Sequence, residues 1–559
     1  MKVLIVGGVA GGASAAARLR RLDEQAEIIL FERGRYISFA NCGLPYYVGG
    51  AITQEAALTL QTPASFRSRF HVDVRVENEV TAIDRVNKRV TVRNHTTGED
   101  YEESYDRLIL SPGAEPVRPP IPGIEDPRVF TLRTIPDTLK IKAYLDEKKP
   151  SRAAVIGGGY IGVEMAENLR QAGLEVCIIE MASHVIAPLD EDMAADVHHY
   201  LRGQGIQLRL GSGLNAVSDQ GDSLRLELTD GTAEADLVVL SVGVRPDTEL
   251  AKACGLECSP RGAIRVNSRM QTSDPDIYAV GDAVLIRDFV SGQEGYIPLA
   301  GPANKQGRIA ADQICGLPSE YKGTQGSSVL KIFGMTVAMT GLNERAAKAA
   351  GLDYGKTYNY SASHASYYPG GGMISLKTIY EKPTGRILGA QLFGPDGTEK
   401  RCDVMAVAIR AGMTASDLTE LELCYAPPYS SAKDPVNFAG YVIENVLTGK
   451  VKEFYWHDVD SLPRDGSVTL LDVRTDAEHA RGRIEGFRSI PLDSLRDRLD
   501  ELDPSKPVYV HCHSGLRSYL ACRILTGNGF DCWNLAGGYR LYESVVSDRA
   551  VQDHPCYER

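Results

Sequence analysis

The sequence lacks the features of several protein classes. Its 559 residues contain only two tryptophans and no Cys-x-x-Cys pair, although eleven cysteines are scattered along the chain. An odd number of cysteines without a regular spacing argues against a disulfide scaffold, and the absence of paired ligands argues against a structural zinc site. No metal is therefore expected.

Long apolar runs and excess positive charge are also missing. No run approaches the ~18 apolar residues that would span a bilayer, and the opening MKVLIVGG is a strand entering a glycine turn rather than a secretion signal. The net charge of −12 disfavours nucleic acid as a partner, because such binding needs a basic face. These absences predict a folded cytoplasmic protein without membrane insertion.

Two stretches of the chain repeat one plan. Residues 2–33 and 153–181 each consist of an apolar strand, a glycine turn, an alanine-containing helix and a second apolar strand that ends near an acidic residue. Each stretch is the size of a βαβ unit, the smallest piece of a parallel sheet with a crossover helix. The repeat predicts an α/β protein with two Rossmann-like dinucleotide-binding domains.

The second of these stretches carries a complete G-x-G-x-x-G pattern. Gly157, Gly159 and Gly162 follow a strand and open a helix, so that the backbone can approach a pyrophosphate at the positive end of the helix. Glu180 ends the next strand, where a carboxylate accepts hydrogen bonds from a ribose 2′-hydroxyl and repels a 2′-phosphate. The pattern therefore favours NADH over NADPH.

The N-terminal glycine turn departs from that pattern. Aligning IVGGVAGG with VIGGGYIG places Gly7 and Gly12 at the first and third glycines and Val9 at the second, and Glu32 again ends the following strand. Two dinucleotide folds need two ligands, and the usual pair is a flavin with a nicotinamide. Three later stretches support a flavin: YDRLILSPGAEP, TSDPDIYAVGDA and PLAGPANKQGRIAA.

Four domains are predicted from these patterns. The first is interrupted by the second, the third is an α+β segment without a nucleotide pattern that suits a dimer interface, and a linker leads to a small α/β domain. Their bounds are residues 1–150 with 247–325, 151–246, 327–448, 449–459 for the linker, and 460–559.

Residues 1 to about 450 resemble the two-dinucleotide-binding flavoprotein disulfide reductases. In this resemblance YAVGDA is the second flavin signature, whose Asp282 holds the ribityl chain, and the expected cofactors are FAD and NADH. The residues implied for FAD are Gly7, Gly12, Glu32, Arg33, Asp282 and Ala303. Those implied for NADH are Gly157, Gly159, Gly162, Glu180 and Gly243.

The stretch YISFANCGLPYY contains a single cysteine, Cys42. Most members of the resembled family use two cysteines separated by four residues, but here Tyr47 occupies the second position. Single-cysteine members are NADH oxidases and peroxidases, which form a sulfenic acid, or coenzyme A disulfide reductases, which form a mixed disulfide with CoA. The oxidases carry a histidine where this chain has Ala10, and SFANCGLPY resembles the CoA reductases.

The resemblance implies a reductase of CoA-linked sulfur. An NADH oxidase or peroxidase, and a non-catalytic redox sensor with CoA on Cys42, are the alternatives. Cys42 must react as a thiolate, and a nearby flavin and helix N-terminus are expected to lower its pKa. The leaving thiolate takes a proton, and the family implies Tyr367 and Tyr425 of the partner subunit in a homodimer as donors, with Tyr368 and Tyr429 as alternatives.

Coenzyme A also requires local positive charge in an acidic protein, because it carries a diphosphate and a 3′-phosphate. Arg18 and Arg21 are three residues apart on one predicted helix face. Ser38 and Asn41 match CoA-contacting positions in the resemblance, and Arg69 is a further candidate.

The C-terminal region contains a second candidate cysteine. Cys512 ends an apolar strand and is followed by a short loop and a helix; the loop residues are His513, Ser514, Gly515, Leu516 and Arg517. Inward-pointing amides and the helix dipole stabilise a thiolate or persulfide in such a loop.

Residues 451–559 resemble a rhodanese domain, from LLDVRTDAEHARGRIEGFRSIPLD to NLAGGY. Such a domain receives sulfane sulfur from a donor. The whole chain thus resembles CoA disulfide reductase–rhodanese fusions, which include NADH-dependent persulfide reductases and suggest a role in sulfur metabolism. CoA persulfide, polysulfide and CoA disulfide all remain open as substrates.

Overall fold

The computed structural model describes residues 1–551 of the chain; residues 552–559 of the predicted C-terminal domain lie outside the described part. Two compact units are present. The first comprises residues 1–182 and 205–326, and the second comprises residues 183–204 and 327–551.

The first unit begins with a parallel five-stranded sheet. Its strand order is Ile277–Ala279, Arg107–Leu110, Lys2–Val6, Glu27–Glu32 and Asp73–Val76. The strands are apolar because helices and sheets cover the faces of a parallel sheet. Strand Ile277–Ala279 pairs with Arg107–Leu110, so two segments that are distant in sequence complete one sheet.

A second parallel five-stranded sheet lies in the same unit. Its order is Ile206–Leu210, Glu175–Glu180, Arg152–Ile156, Leu237–Leu240 and Val129–Thr131. Strand Val129–Thr131 pairs with Leu237–Leu240, although the sequence places it before the second glycine pattern. Helix Tyr160–Gln171 follows strand Arg152–Ile156, as the βαβ pattern predicts.

The remaining elements of the first unit connect or cover these sheets. The other strands are Asn78–Asp84, Arg89–Asn94, Asp100–Ser104, Ala114–Pro116, Leu214–Asp219, Leu224–Leu228, Gly231–Ala235, Val244–Pro246, Ile264–Arg265, Val284–Arg287 and Glu294–Gly295. The other helices are Ala10–Leu22, Leu44–Val48, Pro63–Phe70, Ile135–Lys148, Glu249–Ala253 and Ala300–Ile314. Short 3₁₀ turns occupy Asn41–Gly43, Glu55–Leu58 and Gly281–Ala283.

The second unit contains an antiparallel five-stranded sheet. Its order is Ser328–Ile332, Met335–Gly341, Ile387–Gly394, Met373–Glu381 and Tyr354–Ala362. Helices of this part are Glu191–Gly203, Glu344–Ala349, Thr398–Ala411, Ala415–Glu420 and Pro435–Leu447. Helix Glu191–Gly203 belongs to this unit, although it lies between two strands of the second parallel sheet in sequence.

A smaller parallel sheet follows in the second unit. Its order is Lys452–Phe454, Cys532–Leu535, Val508–His511, Thr469–Asp472 and Arg488–Ser489. Its helices are Asp476–Arg481, Leu516–Gly527 and Gly538–Ala550, with 3₁₀ turns at Trp456–Ser461 and Leu492–Glu501. Strand Lys452–Phe454 lies in the segment that the sequence suggests as a linker.

A buried charge network lies beside the antiparallel sheet. The Lys377 side chain is fully buried, and its Nζ lies 2.9 Å from Asp190, 2.8 Å from Asp192 and 2.5 Å from Glu344. A buried ammonium is tolerated only when its hydrogen bonds are satisfied by such partners. The ammonium of Lys377 therefore occupies the position that a cation would need among these three carboxylates.

Helix Glu191–Gly203 also holds the last helix of the chain. His198 Nδ1 lies 2.8 Å from a carboxylate oxygen of Asp548, and Arg202 Nη1 lies 2.5 Å from the other. Arg549 pairs with Glu191 at 2.7 Å. These ion pairs fix helix Gly538–Ala550, and with it the smaller parallel sheet, within the second unit.

Candidate functional site

A cavity of about 430 Å³ opens at the carboxyl ends of the first parallel sheet. This edge of an open α/β sheet is the usual place for a dinucleotide. Five of the six residues predicted for FAD line the cavity: Gly7, Glu32, Arg33, Asp282 and Ala303. The sixth, Gly12, lies directly behind them, because a Cβ there would approach the Gly7 carbonyl oxygen to 1.9 Å.

The first glycine turn is shaped for close approach to a ligand. Gly7 has a φ of +97°, and a Cβ at this position would lie 2.0 Å from the Ser111 carbonyl oxygen. The Glu32 carboxylate accepts hydrogen bonds from the Gly8 N–H at 3.0 Å and the Gly34 N–H at 2.8 Å. This carboxylate therefore fixes the turn at the point where a ribose would lie.

Other charged residues of the cavity are held in ion pairs. Asp282 accepts a hydrogen bond of 3.1 Å from Arg133, and Arg33 pairs with Glu115 at 3.2 Å and Asp247 at 3.0 Å. The cavity thus contains both a carboxylate for a hydroxyl-bearing chain and cations for phosphate oxygens, which is the set of groups that FAD requires.

The second glycine loop repeats this construction. Gly157 has a φ of +103°, and a Cβ at Gly162 would lie 1.9 Å from the Gly157 carbonyl oxygen, whereas a Cβ at Gly159 would meet no atom within 4 Å. The middle glycine thus faces open space where a pyrophosphate can approach. Glu180 accepts a hydrogen bond of 2.6 Å from the Gly158 N–H. Gly243 follows the adjacent strand Leu237–Leu240 with a φ of +106°.

Cys42 lies in the 3₁₀ turn Asn41–Gly43, directly before helix Leu44–Val48, and is exposed. Its neighbour Asn41 lines the 430 Å³ cavity together with Asp282. The expected lowering of the thiol pKa involved a bound flavin as well as the helix N-terminus, and the protein groups by themselves do not produce it. Although the residue is partly open to solvent, the protein atoms packed around its thiol and the charges of Glu164 and Asp282 raise the pKa of Cys42, and Arg133 only partly opposes them.

Glu164 is a functional candidate that the sequence reasoning missed. It lies on helix Tyr160–Gln171, and its carboxylate accepts a hydrogen bond of 3.3 Å from the Tyr46 hydroxyl. Burial raises the pKa of Glu164 to about 7, helped by the charge of Glu167 and opposed by the Tyr46 hydrogen bond. An acidic residue two positions after the last glycine of the G-x-G-x-x-G pattern is the signal that could have identified it.

The residues predicted for CoA have different environments. Arg18 forms an ion pair with Asp312 at 2.7 Å, whereas Arg21 and Arg69 are exposed. Ser38 has a φ of +44°, and its N–H donates to the Gly8 carbonyl oxygen at 2.8 Å, which places it beside the first glycine turn. Ser38 and Asn41 are therefore close to the Cys42 turn, while the arginines lie on helices Ala10–Leu22 and Pro63–Phe70.

The tyrosine candidates belong to the second unit. The hydroxyl groups of Tyr367 and Tyr425 form a hydrogen bond of 3.1 Å, and both side chains are exposed. This bond raises the pKa of Tyr367. A cavity of about 1,060 Å³ is lined by Tyr425, Tyr429 and His364, while Tyr368 packs edge-on against His364. Of the alternatives, Tyr367 and Tyr425 are the two brought together.

Cys512 lies at the start of its loop with its sulfur buried. The Gly515 N–H donates a hydrogen bond to Sγ at 3.1 Å, and the Ser518 hydroxyl donates one at 3.3 Å. The loop amide agrees with the sequence expectation, whereas the hydroxyl of Ser518, one turn into helix Leu516–Gly527, was missed. Both donors stabilise negative charge on the sulfur.

A residue outside the loop stabilises the rest of the Cys512 loop. Arg517 donates hydrogen bonds of 2.7 and 2.6 Å to the two carboxylate oxygens of Glu478. Glu478 also completes a capping box with Thr475 at the start of helix Asp476–Arg481. The side chains of His513 and Leu516 are both exposed, and the protein atoms close to the His513 ring lower its pKa. The loop is thus a rigid anion-stabilising turn around one sulfur.

Comparisons with known proteins agree with this architecture. Residues 1–307 match the pyridine nucleotide-disulphide oxidoreductase family, residues 328–435 match the dimerisation domain of that family, and residues 456–544 match the rhodanese-like domain.

A coenzyme A disulfide reductase of Staphylococcus epidermidis is 36% identical over 442 residues, which cover 79% of this chain and 99% of the relative. The structure of reduced CoADR-RHD from Bacillus anthracis has 50% identity and a TM-score of 0.96 over 98% of both chains. The structure of a NAD-dependent persulfide reductase from A. fulgidus has 38% identity and a TM-score of 0.90, covering 97% of this chain and 100% of that one.

The two glycine-turn sheets and the cysteine beside the first of them define an oxidoreductase of the two-dinucleotide class. The chain belongs to the pyridine nucleotide-disulphide oxidoreductase family and also carries the family's dimerisation domain and a rhodanese-like domain. Among the described residues, no helix is both long and apolar enough to cross a membrane.

Proposed function

We propose that this protein uses NADH, through FAD, to reduce a disulfide or persulfide of coenzyme A. The observation that carries this proposal is Cys42: a lone exposed thiol whose turn borders a cavity lined by the predicted FAD residues. The tyrosine at position 47 leaves no partner for an internal disulfide in this stretch. The sulfur that reacts with Cys42 therefore comes from a substrate.

FAD and NADH, when bound, supply the two electrons for the reduction. The Glu32 turn and Asp282 would hold the flavin nucleotide, and the Gly157–Gly162 loop with Glu180 would hold the nicotinamide nucleotide. Glu180 ends the strand that follows the glycine loop and would accept hydrogen bonds from the ribose of the bound nucleotide; a 2′-phosphate would meet its negative charge, so NADH would be preferred over NADPH.

The reaction at Cys42 is a thiol–disulfide exchange. With CoA disulfide, the Cys42 thiolate attacks one sulfur, the S–S bond breaks, and one CoA thiolate leaves; the product is a Cys42–S–S–CoA mixed disulfide. With CoA persulfide, attack on the CoA sulfur releases HS⁻ and gives the same mixed disulfide. Two electrons and a proton then return Cys42 to the thiolate and release CoA thiol.

The leaving thiolate requires a proton, and we assign its delivery to Tyr367 and Tyr425 of the partner subunit in a homodimer. Their hydrogen bond of 3.1 Å supports this role, because a hydroxyl that donates to a second hydroxyl can pass a proton along the pair. CoA phosphates would contact Arg18, Arg21 and Arg69, and at Arg18 they would compete with Asp312.

The Cys512 loop would handle sulfane sulfur. Its two hydrogen-bond donors to Sγ support a thiolate that accepts sulfur from a donor and holds it as a persulfide. A shared sulfur pathway follows, in which Cys512 transfers sulfane sulfur and Cys42 reduces sulfur on CoA.

Anaerobic NADH oxidation tests this function. The purified holoenzyme would be compared with CoA persulfide and CoA disulfide, in the natural protein and in Cys42→Ser and Cys512→Ser. Turnover that disappears in Cys42→Ser supports the reductase, and loss in Cys512→Ser only with an external sulfane donor supports the shared pathway.

Two results would contradict the proposal. Reduction of oxygen without reduction of either CoA substrate would identify an NADH oxidase or peroxidase. Binding of CoA to Cys42 without any steady NADH oxidation would identify a redox sensor.

A further inference from the structure

A cavity of about 380 Å³ lies within the second unit, directly beside the Cys512 loop. Ser514, Gly515 and Leu516 of the loop form one wall. Strand Tyr354–Ala362 and helix Pro435–Leu447 supply the opposite wall. Gly515, whose N–H donates to Cys512 Sγ, is itself a lining residue, so this cavity, the Cys512 vestibule, adjoins the loop that holds the sulfur.

The vestibule contains polar atoms that have no hydrogen-bond partner within residues 1–551. Glu453 and Asn534 are paired neighbours on adjacent parallel strands, and Asn359 lines the same cavity. Glu453 Oε2, Asn534 Oδ1 and Asn359 Oδ1 are buried and find no hydrogen-bond partner among the described residues. Asn534 is 4% exposed and Asn359 5%. Unpartnered buried acceptors are costly, so a ligand that carries N–H or O–H donors would gain by filling the cavity.

The Glu453 carboxyl is mostly protonated at pH 7. Burial raises its pKa to about 8, and the neighbouring Asn534 amide only partly opposes this effect. A protonated carboxyl donates one hydrogen bond and accepts others. The vestibule therefore offers both donors and acceptors with little negative charge.

Five aromatic rings and one cationic residue are also part of the lining. The rings that line it are Tyr358, Tyr360, Phe438, Tyr441 and Tyr519. Lys433 is the single cationic residue among the described lining residues, and it is exposed. Arg517 of the loop is already bonded to both oxygens of Glu478. A small inorganic anion would find no buried, unpaired cation here, whereas an apolar chain would find rings to pack on.

We propose that the Cys512 vestibule binds the uncharged, amide- or hydroxyl-bearing chain of an organic persulfide and selects it over inorganic sulfur anions. The proposal rests on the sulfane-transfer role assigned to Cys512 above. The Cys512 thiolate attacks the terminal sulfur of R–S–SH, the S–S bond breaks, R–S⁻ leaves, and Cys512–S–SH forms. No further oxidant or reductant enters this step.

Sulfur transfer to cyanide tests the selectivity. The full-length holoenzyme carrying Cys42→Ser would be assayed with pantetheine persulfide, made from pantethine and sulfide, and with thiosulfate. Cyanide accepts the sulfur from Cys512–S–SH as thiocyanate and restores the thiol. We expect kcat/KM to be higher for pantetheine persulfide, whose chain has amides and hydroxyls but no charge.

Substitutions of residues that line the vestibule test whether the vestibule causes the selectivity. Glu453→Leu removes both oxygens at similar volume and should lower the ratio of kcat/KM for pantetheine persulfide to that for thiosulfate about tenfold, the effect of one hydrogen bond. Glu453→Gln keeps a polar group and should restore most of the ratio. Tyr441→Ala, on the outer wall, should lower the same ratio, and Glu485→Gln, exposed in the same domain, is the matched control.

Three results would overturn this inference. Equal loss for both donors in Glu453→Leu would show a structural role only. A preference for thiosulfate would contradict the selectivity, and a preference for cysteamine persulfide, whose chain is cationic, would identify an ammonium site instead. If no donor transfers sulfur in any variant, the proposed role of Cys512 itself fails, which separates the two failures.

Discussion

Burial of the Cys42 thiol and the negative charges around it explain why the protein groups alone do not favour its thiolate. Glu164 is half-buried on helix Tyr160–Gln171, and its carboxylate, bonded to Tyr46, acts on the thiol together with Asp282. Both are negative when ionised, so they stabilise the neutral thiol. Activation of Cys42 therefore requires bound ligands or protonation of Glu164, whose pKa is raised to about 7.

Replacing Glu164 by Gln tests this residue. We expect the pKa of Cys42 to fall, because a negative charge that opposes the thiolate is removed. The measurement is the rate at which iodoacetamide alkylates Cys42 in the reduced enzyme, as a function of pH. The midpoint of this pH profile should lie at a lower pH in the variant than in the natural protein. The difference should be largest above pH 7, where Glu164 is ionised. Glu99→Gln, an exposed control, should leave the profile unchanged; an unchanged profile in Glu164→Gln would contradict the assignment.

At Cys512, the residue that acts directly on the sulfur is Ser518. Removing its hydroxyl in Ser518→Ala takes away one of two donors to Cys512 Sγ, and sulfur transfer to cyanide should fall about tenfold. Ser518→Thr keeps the donor and should recover most of the rate, which a purely structural role would not explain. Ser505→Ala, at an exposed site, is the control. Full activity in Ser518→Ala would show that the Ser518 hydroxyl does not contribute to sulfur transfer.

At the scale of elements, helices perform two different tasks. Helix Tyr160–Gln171 follows a glycine loop and brings an acid to a thiol, whereas helix Glu191–Gly203 fixes the last helix of the chain through ion pairs. The Asp548 carboxylate accepts hydrogen bonds from both His198 and Arg202. Burial raises the pKa of Asp548, but these two partners have the larger combined effect and lower it. This carboxylate is therefore a principal attachment point of helix Gly538–Ala550.

Asp548→Asn should loosen that attachment. We expect the free energy of local opening of helix Gly538–Ala550, measured by hydrogen exchange at pH 7, to fall by about 1–2 kcal/mol. Since the folded-state pKa of Asp548 is lowered, its contribution is complete above the unfolded pKa of about 4 and is lost as the pH falls through the folded pKa. The variant and the natural protein should therefore converge in acid. Asp531→Asn is the control: it removes an exposed ion pair with Lys452 elsewhere in the domain and should have almost no effect on the opening of this helix.

At the scale of the whole molecule, the proposed site needs residues from two subunits. Tyr367 and Tyr425 bond to each other at an exposed position in the second unit. Their exposure leaves both hydroxyl groups accessible to a second subunit. In the proposed homodimer, each subunit would supply these tyrosines to the other subunit's Cys42.

Mixed dimers test this assignment directly. One subunit would carry Cys42→Ser, and the other would carry Tyr367→Phe with Tyr425→Phe. If the tyrosines serve the partner's cysteine, one of the two sites contains every group, and the mixed dimer should have about half of the natural activity because sites act independently. If the tyrosines serve their own subunit, no site is complete and activity should match that of the parent variants. Each parent homodimer, assayed alone, is the control.

The local patterns of the sequence were sufficient for much of this protein. Strand–glycine–helix repeats fixed both dinucleotide sheets, because a positive φ at Gly7 and Gly157 is tolerated only without a Cβ. The resemblance carried by YAVGDA and SFANCGLPY identified the family, and the loop after Cys512 was predicted to donate an amide to the sulfur, which Gly515 does. These features depend on neighbours within a few residues.

Other features depended on residues that are distant in sequence and were decided only by the tertiary structure. Strand Val129–Thr131 and helix Glu191–Gly203 take their partners from other segments, so their grouping was not readable locally. The raised pKa of Cys42 arises first from burial of its thiol and then from the charge of Glu164, more than one hundred residues away. The vestibule beside Cys512 likewise forms from two domains. Periodicity and spacing determine what a segment becomes, but burial and the charge of a neighbour are properties of the packed chain.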